Sequence, residues 1–387
     1  MRLLFVLAAI PLLAQTTRED RWRADIDLLF STVQSRHPNL YTQTPKADWD
    51  RSIGALRERV PTASDVEIAM EAARILALAR DAHTSLSLRT SPWFTFYQLR
   101  VGWFEEGWVI TAAPSEFPDL AGTVIKKIDD TPIEEVIEKL RPYVSHENEW
   151  WFRSQVASYL VSPEILRAVG VEKTRGWITI NDEFPIPSGP GTVWGAPINA
   201  QPKFPLWARS GSVYYWFTYL PESRAIYFKY NVCAEMPVLP AAKFRQELEA
   251  AMTANPVERF IVDVRNNTGG NSAILGRLLP NVPSSIKRIV ITGRQTFSSG
   301  KLNAEELSRA GYTLLGEPTG GKPTSFGEVL GVTLTSGGLR GQYSTRLFRG
   351  LVQPDNDSLM PDVQVSWTWA AFAREEDPFL EAALLFQ

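Results

Sequence analysis

Three stretches hold residues whose types and spacing suit acyl transfer. Phe260-Ile261-Val262-Asp263-Val264 reads as an apolar strand that runs into Arg265-Asn266-Asn267-Thr268-Gly269-Gly270, before a helical pattern from Ala273 to Leu279. Glycines between a buried strand and a helix allow positive φ and leave backbone N–H groups open to an anion or oxyanion, although a plain tight turn uses them too. Ser298, in Thr296-Phe297-Ser298-Ser299-Gly300, follows the strand-like Ile289-Val290-Ile291-Thr292 and opens a helix. A hydroxyl there is exposed beside helix N-terminal N–H groups, the setting of a nucleophile. It is equally the setting of an N-cap, at Ser298 or Ser299. His83, in Asp81-Ala82-His83-Thr84, stands at a helix-to-strand junction more than two hundred residues earlier. Such a histidine is structural or a proton carrier near neutral pH.

The other two histidines read as solvated loop residues: His37 precedes Pro38, and His146 lies in Ser145-His146-Glu147-Asn148. No Gly-x-Gly-x-x-Gly follows the 260–264 strand and no Gly-Lys-Ser or Gly-Lys-Thr occurs, so dinucleotide and P-loop chemistry are excluded. Thr296 replaces the first glycine of a Gly-x-Ser-x-Gly elbow. The lone Cys233 excludes an internal disulfide and a multi-cysteine zinc site. The chemistry expected uses no cofactor and no metal.

Elements must bring these residues together. From Thr17 to about Arg80 the pattern is helical: Trp22, Ile26, Leu29, Phe30 and Val33 recur at spacings of three and four. His37-Pro38 ends the first helix, Lys46 to Arg59 forms a second, and Ser64-Asp65 caps a third. Thr84 to Leu88 alternates polar and apolar residues, so a strand begins just after His83. Gly107 to Thr111 and Thr123 to Ile128 are strand-like, and a helix from Ile133 to Leu140 follows, a unit that suits peptide docking. Pro142 to Leu206 shows no period and reads as a linking and packing region. From Val213 strands and helices alternate, closing with a helix from Phe379 to Phe386.

The 387 residues allow two or three domains, and 44 % hydrophobic with 21 % charged residues excludes disordered and fibrous classes. With 40 basic and 43 acidic side chains the net charge is −3, which supplies no field for nucleic acid. Residues 1–15 carry one positive charge, a short apolar run and small residues, the layout of a signal peptide; a soluble secreted or periplasmic protein with no stable membrane span is expected. The divisions expected are 1–15, a helical region 16–80, a His-bearing segment 81–205 with the docking module and linker, and an α/β domain 206–387.

Four motifs occur in order: Asp263 to Gly270, Thr296 to Gly300, Gly316-Glu317-Pro318-Thr319-Gly320-Gly321, and Pro361-Asp362-Val363. Together they resemble the motifs of the tail-specific serine peptidases, the family of C-terminal processing peptidases and the tricorn core, nearest its secreted bacterial tricorn-like branch. The likeness runs from about Asp81 to Val365. It implies an α+β multidomain fold with a PDZ-like segment and a C-terminal α/β domain of the crotonase-like type. It further implies Ser298 as nucleophile, the Gly270 and Ser299 N–H groups as oxyanion hole, His83 as general base and Asp355 as the supporting acid. Peptides or unfolded proteins are the expected substrates.

Three positions depart from that pattern. Ala82 stands where the tricorn core has a bridging serine, and Lys301 where the Ser-Lys branch has a glutamate. Lys322 lies near the position of the Ser-Lys branch's base, so a Ser298–Lys322 dyad is an alternative. Glu328, Asp357 and Lys322 also read as plain loop residues, and Arg265 as the partner of a buried acid such as Asp263. A non-catalytic binder of apolar ligands or peptides on the same fold, and an esterase, are the rival functions.

Overall fold

Thr17 and Ser64 open helices Arg18–Arg36 and Asp65–Ala77 with capping boxes to Asp20 and Glu67, and Lys46–Arg59 lies between them. Each box satisfies two N–H groups that the helix cannot. The first helix stops at His37, whose extended backbone is what a following proline demands. The computed structural model describes residues 16–113, 117–174, 177–182, 184–189, 205–209, 211–351 and 356–387. The apolar run at 1–15 and Asp355 lie outside the described residues.

Trp22, Ile26, Leu29, Phe30 and Val33 face a core shared with residues between 94 and 180 and with Val332, Leu334, Leu339 and Tyr343. The region from Pro142 to Leu206, read as a linking and packing region without a period, packs into the first core where described and also has elements of its own. It contains helices Glu149–Val156 and Pro163–Ala168 and strands Trp177–Ile180 and Phe184–Gly189. Glu149–Val156 buries the adjacent Trp151 and Phe152 rather than a repeating stripe, and Pro163–Ala168 is too short to print an apolar period. The last two strands join Phe96–Tyr97, Lys127–Ile128 and Thr131–Pro132 in a five-stranded antiparallel sheet. Next to it the helix Ile133–Leu140 buries Ile133, Val136, Ile137 and Leu140.

A six-stranded sheet carries the second half, in the order Val363–Gln364, Thr313–Gly316, Lys287–Thr292, Arg259–Asp263, Ala225–Tyr230, Tyr215–Leu220. All neighbours are parallel except the last pair. Its strands are apolar at successive residues because both faces are covered. Phe228, Phe260, Val262 and Val290 meet Phe244, Leu248, Ala304 and Leu307 on one side. Tyr227, Ile261, Ile289 and Ile291 meet Phe379, Leu380 and Ala383 on the other. The strands Arg259–Asp263 and Lys287–Thr292 end at the same edge, where the glycine turn and Ser298 follow.

A third, antiparallel sheet brings the remaining candidate to that edge. Ser85–Ser87 pairs with Arg340–Phe348, Leu86 opposite Gly341, and Arg340–Phe348 pairs in turn with Ser325–Thr333. The short strand after His83 is therefore anchored on a hairpin from the far end of the chain. No helix among the described residues is long and apolar enough to cross a membrane.

Candidate active site

Ser298 opens the helix Ser298–Arg309 with φ of 50°. A left-handed backbone costs a non-glycine residue about 1–3 kcal/mol and persists where its surroundings enforce it. The enforcing contacts start at Asn267, which is fully buried. Its carbonyl accepts from Phe297 N at 3.0 Å, its Oδ1 from Gly269 N at 2.9 Å, and its Nδ2 donates to Tyr230 O at 3.0 Å. Thr296 Oγ1 donates to Val264 O at 2.9 Å, tying the two strand ends together. The helix cap is Phe297, with no capping side chain. The N-cap reading of Ser298 and Ser299 is thereby corrected, and Ser299 Oγ instead donates to Gly270 O at 2.6 Å.

The glycine turn is pressed against the serine. Gly269 has φ of 114°, and a Cβ there would stand 2.7 Å from Ser298 Cβ and 2.9 Å from Ser299 N. Gly270 has φ of 130°, and a Cβ there would collide with Cys233 O. Only glycine gives both the conformation and the clearance. Ser299 N belongs to the first turn of its helix, whose N–H groups have no intrahelical acceptor.

His83 shares one cleft of about 820 Å³ with Ser298, Ser299 and Gly270. Its ring stacks on Phe297 with centroids 4.3 Å apart, and Phe297 stacks on Trp151 at 3.9 Å. Neither ring nitrogen makes a hydrogen bond, to Ser298 or any other described residue. Burial pushes the His83 pKa below its ordinary value of 6.5, Asp81 opposes the shift, and Lys301 adds to it. The imidazole is therefore neutral at neutral pH and has a lone pair to offer.

Two carboxylates flank Nδ1 of His83: Asp81 Oδ1 at 3.8 Å and Glu147 Oε1 at 4.0 Å. Asp81 is tightly held. Its Oδ1 accepts from His83 N at 2.9 Å, and its Oδ2 from Thr84 Oγ1 at 2.6 Å, Ser344 Oγ at 2.7 Å and His37 Nε2 at 3.1 Å. Burial alone would raise its pKa, but these donors and the nearby imidazole hold it below the usual range. His37 Nδ1 accepts from Asn39 N, which leaves the proton on Nε2. The reading of His37 as a solvated loop residue is thus corrected: the side chain is fully buried behind Asp81. His146 is half-buried, donates from Nδ1 to Val144 O at 2.6 Å and packs on Phe152.

Glu147 behaves oppositely. Burial first and the Asp81 charge second push its carboxyl up to about 8, against N–H groups of Lys322 and Ala82. Its Oε1 has no hydrogen-bond partner. A buried polar group left unpaired costs about 1–3 kcal/mol. Glu147 and Asp81 were missed as site residues from sequence. Glu147 sits just before Asn148, which caps the helix Glu149–Val156 and donates to Thr319 O, Gly320 O and Asp357 O. Nothing in Ser145-His146-Glu147-Asn148 signals that docking.

Lys322 Nζ pairs with Asp357 at 2.9 Å, with side chains 31 % and 82 % exposed, and does not line the cleft. Lys301 is buried and donates to Pro323 O at 2.7 Å. Glu328 is exposed and pairs with Arg346. Arg265 pairs with Asp263 at 2.9 Å and with Asp377 at 2.7 Å, so its guanidinium is committed to the core.

No family model and no curated protein matches the chain. Among solved structures, mature CPAF complexed with lactacystin matches with a TM-score of 0.64 at 13 % identity, over 94 % of this chain and 97 % of that one. Mature CPAF alone matches with a TM-score of 0.61 at 12 % identity, over 94 % and 96 %. The photosystem II D1 C-terminal processing protease matches more distantly, with a TM-score of 0.42 at 15 % identity, over 89 % and 93 %. With likeness along nearly the whole of both chains, the protein has the mixed α+β multidomain fold of mature CPAF.

Proposed function

We propose that the protein is a serine endopeptidase of the tail-specific type, with Ser298 as nucleophile, His83 as general base, and the Gly270 and Ser299 N–H groups as oxyanion hole. The observation that carries this is the placement of Ser298 at a left-handed strand-to-helix junction, hard against Gly269 and in one cleft with a buried, unpaired His83. Ser298 Oγ attacks a peptide carbonyl while the neutral imidazole takes its proton. The developing oxyanion meets two backbone donors, an arrangement worth about 2.7–4 kcal/mol per donor in such enzymes. His83 then gives the proton to the leaving amine, and water repeats the sequence on the acyl-enzyme.

The resemblance implies Asp355 as the acid behind His83; Asp81 and Glu147 are the described carboxylates that face it. The Ser298–Lys322 dyad has less support, since its ammonium is paired with Asp357 outside the cleft. The antiparallel sheet with helix Ile133–Leu140 fits a PDZ-like docking module for extended peptides. The parallel sheet flanked by helices fits a crotonase-like domain. The apolar run at 1–15 supports export. Turnover of an unfolded polypeptide by wild type, abolished in folded Ser298→Ala, is the expected result; full activity in that variant removes the assignment.

A further inference from the structure

Behind the proposed base, Asp81, His83 and Glu147 each offer one ligand atom within 4.8 Å of the other two. Glu147 Oε1 and both nitrogens of His83 lack hydrogen-bond partners, and the side chains are 3 % and 7 % exposed. We infer that these three residues form a site for a divalent transition-metal ion, zinc foremost, and that its occupation switches the peptidase off.

Two atoms bound to one zinc ion at about 2.0–2.2 Å stand roughly 3.4 Å apart in a tetrahedral site. The 3.8 Å and 4.0 Å separations from His83 Nδ1 exceed that spacing by only about 0.4–0.6 Å, which small side-chain rotations close onto an ion. Asp81 is prepared as a ligand: Oδ2 takes three donors, while Oδ1 takes only the His83 N–H and keeps a lone pair toward the ring. Outer hydrogen bonds of this kind orient metal-binding carboxylates. One imidazole and two carboxylates suit zinc, cobalt or manganese, whereas calcium takes six to eight oxygens and magnesium a near-ideal octahedron. Glu147 gives up its proton to solvent as it ligates, and the two carboxylates then balance the charge of a divalent ion. Lys301, the nearby ammonium, opposes it but is drawn to Pro323 O. The effect on catalysis rests on the reading of His83 as base: a metal on Nδ1 leaves the ring proton on Nε2, with no lone pair to accept the Ser298 proton.

The test separates binding from turnover. Zinc is titrated calorimetrically into Ser298→Ala protein, where one ion per chain is expected. Glu147→Gln in that background weakens binding by about tenfold or more, since even outer-shell changes cost that much. Glu328→Gln, which removes an exposed acid at the cleft, leaves it unchanged. Calcium and magnesium do not compete. In wild type carrying ¹⁵N-labelled histidine, zinc shifts one ring of the three, with its Nε2 protonated, so the result stands even if Glu147→Gln fails to fold. Peptide turnover by wild type falls with the same zinc dependence and returns on chelation. No stoichiometric binding, binding indifferent to Glu147→Gln, or binding without loss of turnover overturns the proposal. Retained turnover in Ser298→Ala would instead overturn the nucleophile assignment, on which the calorimetry does not depend.

Discussion

The His83 ring stacks on Phe297, with centroids 4.3 Å apart and planes 26° from parallel, so the imidazole lies against the residue immediately before Ser298. Trp151 backs the same phenyl ring from its own helix, and the stack fixes the base without any hydrogen bond to its nitrogens. His83→Ala is therefore expected to lower kcat by about 10⁴-fold or more, the order seen when a member of a serine triad is removed. Lys322→Ala should leave turnover near wild type and cost at most about 1 kcal/mol of stability, as expected for an exposed ion pair. Steady-state kinetics on the two variants decide; an active His83→Ala beside an inactive Lys322→Ala reverses the choice of base.

The pH profile provides a second check. The groups facing His83 are Asp81, Glu147 and Lys301, and burial dominates them, holding the pKa below 6.5. The neutral ring is the active form, so kcat/KM should rise with pH and reach its plateau with a midpoint below 6.5. Glu147, with its carboxyl near 8, ionises only after that plateau is reached and does not move the limb. A midpoint above neutrality would exclude this histidine as the titrating base.

Gly269 tests the geometry. A methyl group there meets Ser298 Cβ at 2.7 Å and must displace the nucleophile or the helix start. Gly269→Ala should reduce kcat by about 100-fold, the scale of an ångström-level misplacement at a reacting centre. Gly276→Ala, where an added Cβ meets nothing within 4 Å, should remain near wild type. Kinetics read alongside thermal melting distinguish displacement from unfolding, and equal activity in the two variants would show that the close approach of Gly269 does not matter.

Strand periodicity and turn chemistry were legible along the second half of the chain because a buried parallel strand writes its pattern locally. Ile261, Val262, Ile289 and Val290 face opposite cores at successive positions, and the glycine turn follows directly. The helices of the first region were equally plain in their apolar spacing, and Ser64 places its capping partner Glu67 three residues on; the Thr17–Asp20 box was not read. What the sequence could not print was the surroundings of His83. His37 looked solvated beside Pro38, yet its ring is buried against Asp81 and Phe326. Glu147 stood out only as the neighbour of the loop histidine His146, yet its side chain enters the core because Asn148 docks on the Thr319-Gly320 turn. Both depend on pairings between segments far apart in the chain, which neither period nor spacing encodes. The Ser298 backbone is a similar case: a left-handed serine is imposed by Asn267 and Gly269, not by its own propensity.

The central claim is that Ser298 is an activated nucleophile with His83 as its base, and covalent labelling tests it most directly. Wild-type protein treated with a serine-directed fluorophosphonate and mapped by mass spectrometry should carry one adduct, on Ser298, formed far more slowly in His83→Ala. A protein that cleaves polypeptide while Ser298 stays unmodified, or that is labelled at another serine, would contradict the account.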